Sequence, residues 1–167
     1  SIRLLNQFLT LARSLNNLPD ESSVFTANYL QGYNYLKQEN YTAALEFFEE
    51  AANGIRRNRA FISNPDITNQ VYGDALLRAG DAYFKRNQYN QAVQYYNQAI
   101  DGRFPGYVYA MYQKAIIEGL LNRVTEKILA LEQIIRNHPD SEFADDALLR
   151  LGQTYQEIGQ LNKAMDP

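Results

Sequence analysis

The sequence predicts an all-α protein built as a stack of helix pairs. Three observations carry that prediction. First, apolar residues recur at spacings of three and four, the stripe of an amphipathic helix. Second, one register of small and aromatic residues returns four times. It reads Gly32…Tyr35…Tyr41…Ala44…Phe48…Ala51, then Gly80…Tyr83…Tyr89…Ala92…Tyr96…Ala99. A degraded copy follows at Ala115…Val124…Leu131…Ile134…Pro139, and a last one at Gly152…Tyr155…Leu161…Ala164. Third, no strand-like alternation competes, because Phe47-Phe48 and Tyr95-Tyr96 sit inside helical periodicity.

The first helix spans residues 2 to about 17, with Leu4, Leu5, Phe8, Leu11, Ala12 and Leu15 on one face. Asn16 and Asn17 weaken it, and Pro19 with Asp20 ends the segment. Ser22 or Ser23 is the expected cap of a second helix running to about Lys37. Asn40 marks a tight turn, and a third helix runs from Tyr41 or Thr42 at least to Ile55. Gly32 and Gly80 are 48 positions apart, 14 more than a 34-residue repeat. The excess falls at 56–67, read as an overlong helix and a loop closed by Asn64-Pro65, with Asp66 or Thr68 capping the next helix to about Arg86. After Asn87-Gln88 a helix covers about 90–100, and Asp101 to Gly106, with two glycines and a proline, breaks it. Helices follow at about 107–121 and 123–137, then a break at His138-Pro139-Asp140-Ser141 with Ser141 as the cap, a helix over 142–158, and the start of another after Gly159-Gln160.

Composition narrows the function classes. The chain has 167 residues, 46% hydrophobic and 21% charged, with a net charge of −3. That balance disfavours nucleic acid, which needs a concentrated basic face. The absence of cysteine excludes disulfides and thiolate chemistry. No run reaches the eighteen apolar residues of a membrane span. The chain opens directly in a helical pattern, without the pattern of a signal peptide, and reads as a segment of something longer.

The recurring residue types have a packing reason. Two backbones approach closely only where small residues sit. Gly32, Gly80, Ala115 and Gly152 fill that place on each first helix, and Ala44, Ala92 and Ala164 on each second helix. Each pair hides only part of its apolar face, so neighbours stack to close the core.

These signals resemble the tetratricopeptide repeat (TPR) family, most clearly in the run Gly80-Asp-Ala-Tyr-Phe-Lys-Arg-Asn-Gln-Tyr-Asn-Gln-Ala92 through Ala99. The resemblance implies a right-handed α-α superhelix of helix-turn-helix repeats in one solenoid, 1–167. Its copies are 25–58, 73–106, a divergent 108–141 and a truncated 145–167. Residues 59–72 are an irregular insertion, and 1–21 look like the second helix of a preceding repeat. Asn28 and Gln31 stand where the family has larger apolar residues, so the first repeat is expected to pack differently on its predecessor. Lys127 replaces the small alanine, and its stem is expected to snorkel. Gly119 inside a helix costs about 1 kcal/mol relative to alanine. The segment from His138 to Gly152 also looks like TPR proteins of the bacterial cell envelope, including outer-membrane assembly lipoproteins. A periplasmic or outer-membrane setting is one reading and a cytoplasmic one the alternative.

By the family's geometry, Thr26, Tyr29, Tyr33 and Lys37 face a concave groove. Asp74, Leu77, Asp81 and Lys85 follow in the second copy, then Tyr109, Tyr112 and Ile116, then Asp146, Leu149 and Gln153. Tyr29, Tyr33, Tyr109 and Tyr112 are the leading contacts for a peptide, since tyrosine is a rigid amphipathic anchor. Burial of three or more of them between repeats would remove that idea. The carboxylate clamp of chaperone-binding members is disfavoured, because its positions hold Tyr29, Tyr33, Arg78, Tyr109 and Gln113. Arg56, Arg57 and Arg59 form a dense basic cluster, read as a solvated helix end or a site for an acidic partner.

Nothing points to catalysis. His138, the sole histidine, is read as a polar surface residue. Asp145-Asp146 are helix-start charges and Glu49-Glu50 a solvated face. No phosphate loop or zinc motif is present. The expected function is a non-enzymatic scaffold without cofactor or metal, binding a protein or peptide or packing against further repeats. The alternatives are an envelope structural or polymer-associated module and a regulatory region of a larger protein.

Overall fold

A computed structural model describes residues 2–14, 22–160 and 163. Its helices are α1 (Ile2–Ser14), α2 (Ser22–Leu36), α3 (Tyr41–Asn58), α4 (Tyr72–Lys85), α5 (Tyr89–Asp101), α6 (Tyr107–Leu120), α7 (Val124–Asn137) and α8 (Ala144–Glu157). Two compact units result: Ser1–Pro105, holding α1 to α5, and Gly106–Pro167, holding α6 to α8. Within each unit, each helix packs on the next in the chain, the all-α repeat architecture the periodicity predicts. The expected end of α1 at Asn16 to Asp20 and the helix from Leu161 through Ala164 lie outside the described residues, as does the side chain of Ser22.

Four of the described helix ends turn the same way. Glu39, Asn87, Asn122 and Gly159 take left-handed backbone, with φ of 57°, 59°, 58° and 76°. The next residue's N–H then reaches back five positions: Asn40 to Tyr35 at 3.0 Å, Gln88 to Tyr83 at 2.9 Å, Arg123 to Glu118 at 2.8 Å and Gln160 to Tyr155 at 2.8 Å. This helix-end motif satisfies carbonyls that would otherwise lack partners. Asn40 also caps α3, its Oδ1 accepting from the Ala43 N–H at 3.2 Å.

The small-residue positions behave as packing demands. A methyl group on Gly32 would lie 2.7 Å from Phe48, and one on Gly80 would lie 2.6 Å from Tyr96. Both rings are fully buried, and burial of such a side chain stabilises by about 1.5–3 kcal/mol. Ala44, Leu45, Phe48, Ala79 and Ala82 form the core that joins the first two repeats, flanked by Tyr29, Tyr33, Tyr35 and Tyr83. At the matching positions of α6 and α7 stand Ala115 and the smaller Leu131, and both are buried. The Lys127 stem runs over Gly119, where an added methyl would meet its Cδ at 3.1 Å.

Gln31 gives α2 a polar contact with α1, while Asn28 is buried with its Oδ1 lacking a hydrogen-bond partner. Gln31 is buried too, and its Nε2 donates to the Ile2 carbonyl at 3.2 Å and to Asn6 Oδ1 at 2.7 Å.

Two caps differ from expectation. Asn64, not Asp66 or Thr68, serves the helix start after the insertion: its Oδ1 accepts the Asp66 N–H at 3.0 Å. Proline at 65 leaves the next N–H as the first available donor. Thr68 instead donates its hydroxyl back to the Pro65 carbonyl at 3.2 Å. Ser141 caps nothing through its side chain; its Oγ is buried without a partner, and α8 starts at Ala144 without a side-chain cap. The insertion itself holds a 3₁₀ turn, Arg59–Phe61, and a π turn, Ile67–Val71.

Candidate functional site

In the first unit, α2 and α4 lie side by side and share one polar face. Asp74, Arg78 and Asp81 fall at positions i, i+4 and i+7 of α4, one stripe of a helix. Tyr29 and Tyr33 hold the facing stripe of α2. The Tyr29 hydroxyl donates to Asp74 Oδ2 at 2.9 Å, and the Tyr33 hydroxyl donates to the same oxygen. Arg78 Nε donates to the Tyr33 hydroxyl at 3.0 Å. Its guanidinium pairs with Asp74 at 3.2 Å and Asp81 at 2.6 Å. Asp81 is held from below by the Tyr96 hydroxyl at 2.7 Å. The two α2 rings pack edge-on, 5.1 Å apart, and Tyr33 also meets Phe48 edge-on at 5.4 Å.

The electrostatics follow from this closure. Burial raises the Tyr29 phenol well above its ordinary value, and the Asp74 carboxylate raises it further. Tyr33 is raised by burial and by its hydrogen bond to Asp74, with Arg78 partly offsetting. Burial works against the Arg78 charge, but Asp74 and Asp81 outweigh it and hold the guanidinium protonated. Two carboxylates against one guanidinium leave the patch with a formal charge of −1, while its hydroxyls and carboxylates are already engaged with one another.

A second set of tyrosines binds repeat to repeat. Glu49 Oε1 accepts from the hydroxyls of Tyr83 and Tyr95, both at 2.7 Å, and those rings stack 5.4 Å apart. Burial and Glu49 raise Tyr83 to about 12 and raise Tyr95 too. Glu49 therefore does not belong to a solvated face; Glu50 does. The second unit repeats the device, since Tyr155 donates to Glu132 at 2.8 Å and its phenol is raised chiefly by that bond. Glu118 stands at the register position of Tyr83 and Tyr155, and pairs with Arg123 at 3.2 Å instead.

The α6/α8 face of the second unit differs. Tyr112 lies stacked on Phe143 at 5.6 Å, and Tyr109 meets the same ring at 5.7 Å. Arg150 Nε donates to the Tyr112 hydroxyl at 2.6 Å, and its guanidinium lies 5.7 Å from that ring's centre.

Of the four leading tyrosines, Tyr112 is buried, at 8% exposure, while Tyr29, Tyr33 and Tyr109 are half-buried. Lys37 and Lys85 are exposed and Asp81 is half-buried. Leu77 does not face a groove: it is 3% exposed, because the α4 face it occupies is turned into the core. Arg56 and Arg57 are exposed in the last turn of α3, Arg56 donating to Asn53 at 3.1 Å. Arg59 meets rings instead of carboxylates, lying 5.5 Å from Phe104 and 5.9 Å from Tyr72. His138 is half-buried edge-on against Tyr107, at 5.2 Å. Among the described residues no group of three or more His, Cys, Asp or Glu is arranged to hold a metal ion, and no helix is long and apolar enough to cross a membrane. Asp74 and Arg78, central to the first face, are missing from the leading contacts named by sequence. Their signal was the i, i+4, i+7 spacing with Asp81, but a helix surface often carries such pairs without any cross-helix partner.

Repeated helix pairs with tyrosine-rich first helices define a class of interaction scaffold. Profiles of the tetratricopeptide repeat match residues 25–53, 77–142 and 146–166, together more than half of the chain. The chain belongs to the tetratricopeptide repeat family. No curated protein matches it. Among solved structures, MamA superposes with a TM-score of 0.71 at 18% identity, over 98% of this chain and 80% of its own. BtubC from P. vanneervenii gives 0.75 at 17% identity, over 98% and 67%. YrrB, described as a TPR protein with an unusual peptide-binding site, gives 0.63 at 23% identity, over 99% and 75%. At such identities the likeness is one of fold.

Proposed function

We propose that this chain is a non-enzymatic scaffold that binds a peptide or protein segment on the faces of its first helices, α2 with α4 and α6 with α8. The observation that carries the reading is the set of half-buried tyrosines, Tyr29 and Tyr33, held in place by Asp74 and Arg78. Rings fixed before binding lose little entropy on binding, which favours affinity. Lys37 and Lys85 extend the first face with exposed charge, and Asp81 lies within it. Tyr109 and Tyr112 serve the second face. Arg56, Arg57 and Arg59 form a separate exposed basic edge, Arg59 lying beside the rings of Phe104 and Tyr72. A peptide-binding site described for YrrB, which shares the fold, supports this mode of action.

The test is selection of ligands from a random peptide library, followed by amide shift mapping on the labelled protein. Ligands that perturb α2 and α4, or α6 and α8, and that weaken in Tyr29→Ala or Tyr112→Ala proteins of intact fold, support the reading. Absence of ligands, or perturbation confined to the second helices of the pairs, overturns it.

A second reading concerns setting. The His138-Pro139-Asp140-Ser141 turn, with its similarity to envelope TPR proteins, favours a bacterial envelope module, in the periplasm or at the outer membrane. Fractionation of cells producing the complete parent protein tests it; recovery from the cytoplasm alone would rule it out.

A further inference from the structure

The irregular stretch between the first two full repeats carries a surface separate from the tyrosine faces. Residues 51–65 hold Arg56, Arg57 and Arg59 and no carboxylate, in a chain whose net charge is −3. Arg56, Arg57, Arg59, Ala60 and Phe61 are all exposed. Phe61 is 87% exposed, more than any other large apolar side chain among the described residues. A single exposed apolar residue is ordinary on a protein surface. Phe61 differs in how its segment is held. Arg59 is seated beside the Phe104 and Tyr72 rings, which themselves meet edge-on at 5.0 Å. Phe104 is wedged against Gly73 and Gly102, where an added methyl would collide with it. Burial raises the Tyr72 phenol, and Arg56 and Arg59 both offset that rise, so the two guanidinium groups gather on one side of the insertion. The seat fixes Arg59, the first residue of the 3₁₀ turn Arg59–Phe61, and the turn then carries Phe61 out into solvent.

We propose that this insertion docks the protein on an anionic lipid surface. Phe61 enters the headgroup boundary, and Arg56, Arg57 and Arg59 lie against lipid phosphates. A protein partner would need a pocket for Phe61, and anchors of that kind stand within a ring of neighbours that excludes water. Phe61 has no such ring in its own segment: Ala60, Ser63 and Asn64 are exposed, and Ile62 is half-buried. A bilayer boundary accepts a lone projecting ring without a matching surround, and its negative surface potential complements a basic stretch free of acids. The contact is peripheral, since no described helix is long and apolar enough to cross a membrane. It uses neither tyrosine face and stands apart from peptide binding.

The chain contains no tryptophan, so Phe61→Trp places a sole indole at the contact. That protein is mixed with phosphatidylcholine vesicles made with and without phosphatidylglycerol, and the unaltered chain is tested by flotation on the same vesicles. The expected result is an emission shift to shorter wavelength, and flotation, on the anionic vesicles alone. Arg56→Gln and Arg57→Gln each weaken binding about fivefold. Phe61→Ser weakens it too, and about 1 M salt, with its screening length of about 3 Å, abolishes it. All these positions are exposed, and an unchanged thermal midpoint verifies the fold of each variant. No binding to anionic vesicles, equal binding to neutral ones, or binding unchanged in Phe61→Ser and Arg57→Gln overturns the proposal. Binding to polyglutamate or single-stranded DNA in place of vesicles assigns the arginines to an acidic polymer and also overturns it. Peptide selection on the tyrosine faces is unaffected by any of these outcomes, so the two readings fall separately.

Discussion

Gly80 and Gly119 both sit inside helices, yet only one of them is required by its surroundings. At Gly80 an added methyl would strike the buried Tyr96 ring at 2.6 Å, and the ring cannot retreat because its hydroxyl is tied to Asp81. Gly80→Ala is expected to destabilise by about 1–3 kcal/mol in urea unfolding. At Gly119 the neighbour is the Lys127 stem at 3.1 Å, which can swing aside toward solvent. Gly119→Ala therefore changes stability by less than about 1 kcal/mol, and on the stabilising side, because alanine is the better helix former. Equal losses from the two substitutions would contradict this account. Tyr33→Phe removes a hydroxyl that donates to Asp74 and accepts from Arg78. A loss of about 1 kcal/mol is expected from the same unfolding experiment, modest because the pair stays partly solvated. The importance of Tyr33 as a contact was readable from its register. Its bond to Asp74, 41 positions away, was not, because no local pattern says which helix will face it.

The repeated turn shows how an element can keep its geometry while its residues drift. Four helix ends close with the same five-residue back-bond, though the left-handed position holds Glu39, Asn87, Asn122 and Gly159. Asparagine and glycine tolerate that backbone, whereas glutamate pays a steric penalty there. Glu39→Gly is expected to stabilise by about 0.5–1 kcal/mol, seen as a higher thermal midpoint, since Glu39 is exposed and loses no packing. A lower midpoint would mean that the Glu39 side chain does something its exposure does not show. The helices themselves were legible to within two or three residues, because amphipathic spacing and punctuation are local. The caps at Asn64 and Ser141 were less so. Several polar residues near a helix start compete for the same free N–H groups, and backbone geometry chooses among them.

At the scale of the whole molecule, thirteen tyrosines make alkaline pH the sharpest probe of folding. Tyr29, Tyr33, Tyr83 and Tyr95 are raised by burial and by Asp74 or Glu49, and Tyr155 chiefly by its bond to Glu132. The folded chain holds these phenols protonated above pH 10, where the unfolded chain releases their protons. Their contribution to stability is therefore complete below about pH 10 and is lost above it as each raised phenol ionises, Tyr83 at about 12. Ultraviolet titration of phenolate should show a class of tyrosines that ionises well above pH 10, only as the chain unfolds; one smooth transition near pH 10 for every tyrosine would refute this. The sequence by itself determined the helix pairs, their order and the small positions where pairs close, because these depend on side-chain spacing along a single helix. The tertiary structure decided which polar groups cancel. Only packing of α2 on α4 shows that Tyr29 and Tyr33 share Asp74, and only packing of α6 with α8 shows Arg150 held by a hydroxyl in place of a carboxylate. Charge neutralisation depends on distances between helices, and those follow from how whole side chains fill the space between them.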